Sequence, residues 1–220
     1  MIKAVIYDMD DLMVRSDELH IESIIEMLKK YHKNLYDLPE SIRSGLIGMR
    51  VIDVMKVFKE NLNIDVPAKQ LYEEKSDIFL RLVKGKLEPM PGLRESLDLF
   101  KKNHLKLAIA SSAVMEYIHI VLSKFSLKEY FDVIVSGNDV SKGKPDPETY
   151  QVACKKLSIK PHEAVVLEDA EKGIASAKGA GCFCIAVRNP HTLPQDTSRA
   201  DVTVDSLYDI SLKTLDLINI

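Results

Sequence analysis

The sequence predicts an α/β protein: a parallel sheet interrupted, after its first strand, by a small all-helical domain. Short β-branched apolar runs recur along the chain and are nearly continuous rather than alternating, as strands buried on both faces of a parallel sheet are. Helical patterns separate most of these runs, and that alternation implies right-handed crossovers between parallel strands. Between residues 17 and 87 the rhythm stops, with no convincing strand and three amphipathic patterns.

The first run, IKAVIY, ends in DMDDL, which places Asp8 and Asp10 where a strand stops; if the period of two persists, they point the same way. The interrupting segment carries the sets Ile21/Ile24/Ile25/Leu28, Val51/Val54/Met55/Phe58 and Leu71/Ile78/Phe79/Leu82, all at helical spacing and read as core. Pro89 and Pro91 mark the return to the main domain, giving boundaries of 1–16 and 88–220 for the main domain and 17–87 for the helical one. The second strand, LKLAIA, ends at Ser111 and Ser112, and Val114, Tyr117, Ile118, Val121, Leu122 and Phe125 stripe the next helix. FDVIV leads into SGNDVSKGKPDP, where Pro145 biases Lys144 away from helix. DPETYQVACKKL opens with Asp then Pro, a good cap and first-turn pair. The fourth strand, AVVL, runs into LEDAEKG, and the helix EKGIASAKGAG closes on glycines suited to a helix C-terminus. CFCIAV and DVTV complete the set.

Bulk properties exclude several classes. At 220 residues the chain buries roughly 70% of its unfolded surface, enough for one sizeable core or for a core plus a small appended domain. A formal charge of −3 without a long Lys/Arg cluster offers no footprint for nucleic acid. No stretch approaches the length and apolarity of a membrane span, and the N-terminus lacks a basic segment followed by a long apolar run, so a cytoplasmic protein is expected. The three cysteines are too few and too irregular for a disulfide framework; Cys182 and Cys184 read as two side chains on one strand face.

In an open parallel sheet, ligands bind beyond the carboxyl ends of the strands, so the strand ends form a shortlist. Ser111 and Ser112 could cap a helix or hold a phosphate at its N-terminus. Lys144 is a solvated loop lysine or a positioned ammonium. Asp169 is an N-cap or a ligand, whereas Glu168 follows three apolar residues, where an unpaired carboxylate is costly. Taken jointly, oxygen-only donors suit a hard cation such as Mg²⁺ sharing its sphere with phosphate and water. One aspartate could then attack phosphorus while the other moves a proton.

The ordered motifs DMDDL, IASS, GKPDP and LEDAEKG resemble those of the haloacid dehalogenase superfamily, specifically its β-phosphoglucomutase-like phosphatases with a helical cap, and the match spans nearly the whole chain. The resemblance implies a Rossmann-like core, an inserted helical cap and an aspartyl-phosphate intermediate. It implies Asp8 as nucleophile, Asp10 as general acid/base, Ser111 with the Ser112 amide as phosphate contacts, and Lys144 as the bridging lysine. Asp8, the Asp10 carbonyl and Asp169 would hold Mg²⁺, with Glu168 as ligand or supporting carboxylate. In the cap, IGMR points to Arg50 and EEK to Lys75 as substrate contacts, and His20 matches a histidine at the cap hinge of some relatives. Two positions depart from the family pattern: Asp11 stands where glycine is usual and Arg15 where aspartate is. Aspartate tolerates the left-handed conformation, so the turn can survive, and Arg15 is a candidate partner for the added charge.

The expected function is therefore a Mg²⁺-dependent phosphatase of small phosphorylated metabolites such as sugar phosphates, with no nucleic-acid or membrane partner, as a monomer or weak homodimer. A β-phosphoglucomutase sharing the same catalytic set is the alternative, and a non-catalytic phosphate-binding module on this fold is the third.

Overall fold

Residues 1–46 and 51–216 are described by a computed structural model. The strands are β1 (Ala4–Tyr7), β2 (Lys106–Ala110), β3 (Val133–Val135), β4 (Ala164–Glu168), β5 (Phe183–Val187) and β6 (Val202–Val204). They form one 6-stranded sheet in the order β3-β2-β1-β4-β5-β6, parallel throughout. This is the doubly wound, Rossmann-like order, in which the chain builds outward from β1 on one side and then on the other. The carboxyl ends of β1 and its neighbours β2 and β4 therefore meet at the switch point.

The helices among the described residues are α1 (Asp17–Lys29), α2 (Glu40–Gly45), α3 (Val51–Asn61), α4 (Ala68–Lys86), α5 (Leu93–Lys102), α6 (Met115–Lys124), α7 (Glu148–Leu157), α8 (Glu171–Ala180) and α9 (Leu212–Asp216). Strand alternation divides the core between two faces. Ile6, Ala108, Val166 and Cys184 face α7 and α8, packing with Tyr150, Cys154 and Ile174. On the opposite face, Tyr7 meets α5: its ring lies edge-on to Phe100 at 6.4 Å between centroids, and its hydroxyl is 3.0 Å from Ser96 Oγ. Burial of β1 and β4 on both faces explains why they read as unbroken apolar runs. Cys182 and Cys184 do share one core face, and Cys154 Sγ lies 3.7 Å from Cys182 Sγ.

The chain divides into two compact units, Met1–Arg15 with Glu88–Ile220, and Ser16–Leu87. In the first unit, the segments that flank the second lie side by side. Val14 forms an antiparallel bridge to Pro89, Arg15 N donates to Glu88 O at 3.0 Å, and Arg15 Nη1 lies 3.2 Å from Glu88 Oε2. The second unit is helical, with α4 packed against α1 and α3. The stripes expected on α3 and α4 are buried at Val54, Met55 and Phe58 and at Leu71, Ile78, Phe79 and Leu82. On α1 the expectation needs correction. Its buried line is Leu19, Ser23 and Met27 with Leu28, while Ile21 is 42% exposed, because the side turned to α4 follows the i, i+4 row through Leu19.

Candidate active site

The site is assembled from strand ends. The ladder extends one residue past Tyr7, since Asp8 N donates to Leu167 O at 3.0 Å, and this aims Asp8 along the sheet's carboxyl edge. The chain then turns: Asp11 has φ +61°, its N–H reaches Val14 O at 2.8 Å, and its carbonyl accepts from Asn189 Nδ2 at 2.8 Å. The left-handed turn thus forms with aspartate in place of glycine.

Carboxylate oxygens of Asp8, Glu168 and Asp169, all three buried, lie within 4.8 Å of one another. Lys144 comes from the loop after β3 and places Nζ 2.5 Å from Asp8 Oδ1 and 2.7 Å from Glu168 Oε1. Its ammonium also lies 4.7 Å from the centroid of the Tyr150 ring. Glu168 is heavily bonded: Oε1 also accepts from Tyr150 Oη at 2.8 Å, and Oε2 accepts from the amides of Asp169 and Ala170, each at 3.0 Å. The cap position of α8 belongs to Ala170 and not, as the sequence suggested, to Asp169; the Glu168 side chain bonds the two amides just before the helix. Gly173 makes room for it, because a Cβ there would lie 1.6 Å from Glu168 Oε1.

These contacts set the electrostatics. Burial pushes the Asp8 carboxyl well up from its ordinary value, Lys144 opposes that, and Glu168 and Asp10 reinforce it. Burial does the same to Asp169, with Glu168, Asp8 and Asp11 adding repulsion. Burial alone would lower Lys144, but the attraction of Asp8 and Glu168 outweighs it and raises the ammonium's pKa. Three carboxylates against one ammonium leave surplus negative charge in a buried place, which is costly unless a cation shares it. The donor set is all oxygen, so the residues present fit a hard divalent ion.

Around this centre, Ser111 is buried at the end of β2, its N–H donating to Val135 O at 3.0 Å and its Oγ accepting from Ala113 N at 3.0 Å. Ser112 is exposed beside it. Gly137 lets the loop after β3 pass against this turn, since a Cβ there would lie 2.3 Å from Ser112 O. Asp10 Oδ1 accepts from Tyr117 Oη on α6 at 3.0 Å.

The helical unit holds a second pair. Lys75 is 3% exposed although charged, and its Nζ lies 2.7 Å from His20 Nδ1. The His20 ring stacks on Phe79 at 4.0 Å and 9°, and Lys75 Nζ lies 4.4 Å from the same Phe79 ring centroid. Desolvation, then the Lys75 charge, lowers the His20 pKa to about 3, so the imidazole is neutral and accepts from the lysine. The structure thus brings together Asp8, Lys144, Glu168 and Asp169, places Asp10 and Ser111 at the same sheet edge, and pairs His20 with Lys75. Arg50 lies outside the described residues. Sequence reasoning missed Tyr117, Tyr150, Gly173 and Asn189 as site residues. Both tyrosines lie on buried helical stripes, where a phenol hydroxyl needs a polar partner, and that was the available signal.

The model of the haloacid dehalogenase-like hydrolase family matches residues 5–187. The chain belongs to that family. Among haloacid dehalogenase-like relatives, a phosphorylated carbohydrates phosphatase of Thermotoga maritima is 35% identical over 188 residues, covering 81% of this chain and 82% of the relative. The crystal structure of CbbY from Rhodobacter sphaeroides in complex with phosphate superposes with a TM-score of 0.85 at 27% identity, over 98% of this chain and 100% of that one. A Thermotoga maritima protein taken to be a β-phosphoglucomutase gives a TM-score of 0.79 at 29% identity, over 98% and 99% of the two chains. The haloacid dehalogenase-like fold accounts for the parallel sheet whose strand ends carry these side chains. No helix among the described residues is long and apolar enough to cross a membrane.

Proposed function

We propose that this chain is a Mg²⁺-dependent phosphatase of small phosphorylated metabolites, sugar phosphates foremost, working through an aspartyl-phosphate on Asp8. The observation that carries this reading is the convergence of Asp8, Lys144, Glu168 and Asp169 at the carboxyl edge of the sheet. A carboxylate nucleophile beside a fixed ammonium, with a hydroxyl-bearing strand end and a second aspartate nearby, suits transfer of an anionic phosphoryl group better than any neutral group. The Thermotoga phosphatase of phosphorylated carbohydrates supports the substrate class.

In the first step an Asp8 oxygen attacks phosphorus, the bond from phosphorus to the leaving oxygen breaks, and the Asp10 carboxyl gives that oxygen its proton. In the second, water loses a proton to the Asp10 carboxylate and attacks phosphorus; the bond to Asp8 breaks and inorganic phosphate leaves. Lys144 balances charge on Asp8 and the phosphoryl oxygens, while Ser111 and the Ser112 amide receive the phosphate. Mg²⁺, held by Asp8, Asp169, the Asp10 carbonyl and, directly or through its bonding, Glu168, would neutralise phosphoryl charge. On the helical unit, Arg50, Lys75 and His20 are the proposed contacts that select the rest of the substrate. Cytoplasmic action as a monomer or weak homodimer completes the reading.

Phosphate release from a metabolite panel with Mg²⁺ tests it, and turnover that disappears in Asp8→Asn is expected. No turnover by the native chain, or full activity in the variant, would overturn it; calorimetric phosphate binding without turnover would instead favour a binding module. A mutase is the second reading, favoured by the likeness to the Thermotoga protein taken to be a β-phosphoglucomutase. Incubation with β-glucose 1-phosphate and a bisphosphate primer separates them, because a mutase yields glucose 6-phosphate without free phosphate.

A further inference from the structure

Tyr117 lies on the buried stripe of α6 with Ile118, Val121 and Leu122, where phenylalanine would fill the same space. Its hydroxyl is what distinguishes it, and that hydroxyl is 3.0 Å from Asp10 Oδ1 across 107 positions of sequence. The ring is 3% exposed, so the phenol has little water to bond instead. Asp10 stands in the turn after β1, where a bridge to Val14 orders the backbone but leaves the side-chain torsions to be set by contacts. A hydrogen bond to a carboxylate is among the stronger and more directional ones. The helix that supplies it follows the turn of Ser111 and Ser112, so one contact ties the Asp10 carboxyl to the segment read as receiving the phosphate.

We propose that Tyr117 is a positioning residue that holds Asp10, through Oδ1, in the orientation from which it protonates the leaving oxygen. This rests on the phosphatase reading, in which Asp10 is the general acid. In this role Tyr117 acts through Asp10 and not by contact with the reacting atoms. The consequence is a dependence on leaving group. An alkoxide leaving from a sugar phosphate needs the proton, whereas p-nitrophenolate leaves without one.

The test compares kcat/KM of native and Tyr117→Phe protein for p-nitrophenyl phosphate and for the sugar phosphate of the panel that native protein turns over best. This constant covers only the steps up to loss of the leaving group, so water attack on the intermediate does not enter it. The expected result is a fall of about tenfold for the sugar phosphate and of less than about twofold for p-nitrophenyl phosphate. Partial loss of folded protein would lower both alike, so the ratio reads the positioning itself. Equal losses, or none, overturn the inference while leaving the phosphatase reading intact. No turnover by native protein overturns that reading, and the inference with it.

Discussion

Asp11 carries a charge where the turn after β1 asks only for conformational freedom. Its φ of +61° is one that aspartate tolerates, and its carboxylate adds to the repulsion that raises Asp169. Removing that charge favours an anionic substrate. Asp11→Gly is expected to lower KM for a phosphomonoester by about two- to fivefold at low ionic strength, with kcat little changed. A KM that stays level or rises in steady-state assays would contradict this account of the residue. Asp8 and Asp169 were legible in sequence because each stands where an apolar run ends, and Lys144 because it lies before a proline in the loop that follows another; strand ends are where this fold binds ligands. Tyr117 and Tyr150 were not, because their partners lie 107 and 18 positions away and no local pattern encodes such a pairing.

α8 positions the site by what it lacks. Gly173 leaves the space filled by the Glu168 carboxylate, which Lys144, Tyr150 and two backbone amides hold in place. Gly173→Ala should evict it, lowering turnover more than tenfold and costing about 1–3 kcal/mol in a urea melt. Wild-type turnover in that variant would show that Glu168 is dispensable. On α4, helical spacing places Lys75 on the same buried stripe as Leu71, Ile78 and Phe79. Sequence shows that position, and His20 on α1, but not the pairing of the two that satisfies a buried ammonium there. The stripe on α1 was misread because Ile21, Ile24, Ile25 and Leu28 also fall at helical spacing, so spacing alone does not choose between adjacent faces of the helix. Because the folded His20 titrates near 3 rather than its ordinary 6.5, the unfolded chain takes up a proton first as pH falls. Stability is therefore full above about pH 6.5 and declines toward pH 3, by about 1.4 kcal/mol per unit from this group. His20→Gln should flatten that part of a pH-dependent denaturation curve, and an unchanged slope would count against the buried neutral imidazole.

For the whole molecule, element type and the helical interruption were legible because periodicity changes sharply at both ends of residues 17–87. The strand order was not, since every strand is apolar on both faces and period alone does not name its neighbours. The segment leaves and rejoins the sheet-bearing unit at adjacent points, Val14 and Pro89, so folding the insert adds little loop-closure cost to the core. The buried acidic centre imposes a condition on overall stability. Without a divalent ion, burial holds Asp8 and Asp169 above their ordinary value of 3.8, so the folded chain keeps protons that the unfolded chain releases. Their contribution is full below that value and is lost as pH rises through the raised ones. Mg²⁺ should reverse the loss near neutrality, adding about 2.7 kcal/mol at a hundredfold excess over Kd, and add nothing in acid. Melting curves at the two pH values with and without Mg²⁺ read this directly, and equal effects at both would remove the carboxylates as its ligands.

Acid-quenching the chain during turnover of a sugar phosphate with Mg²⁺, and weighing its peptides, shows whether Asp8 carries the phosphoryl group. One added phosphoryl group is expected on the peptide containing Asp8, and none in Asp8→Asn. Phosphate release that continues in that variant, or a native Asp8 peptide that never gains the group during turnover, would contradict it.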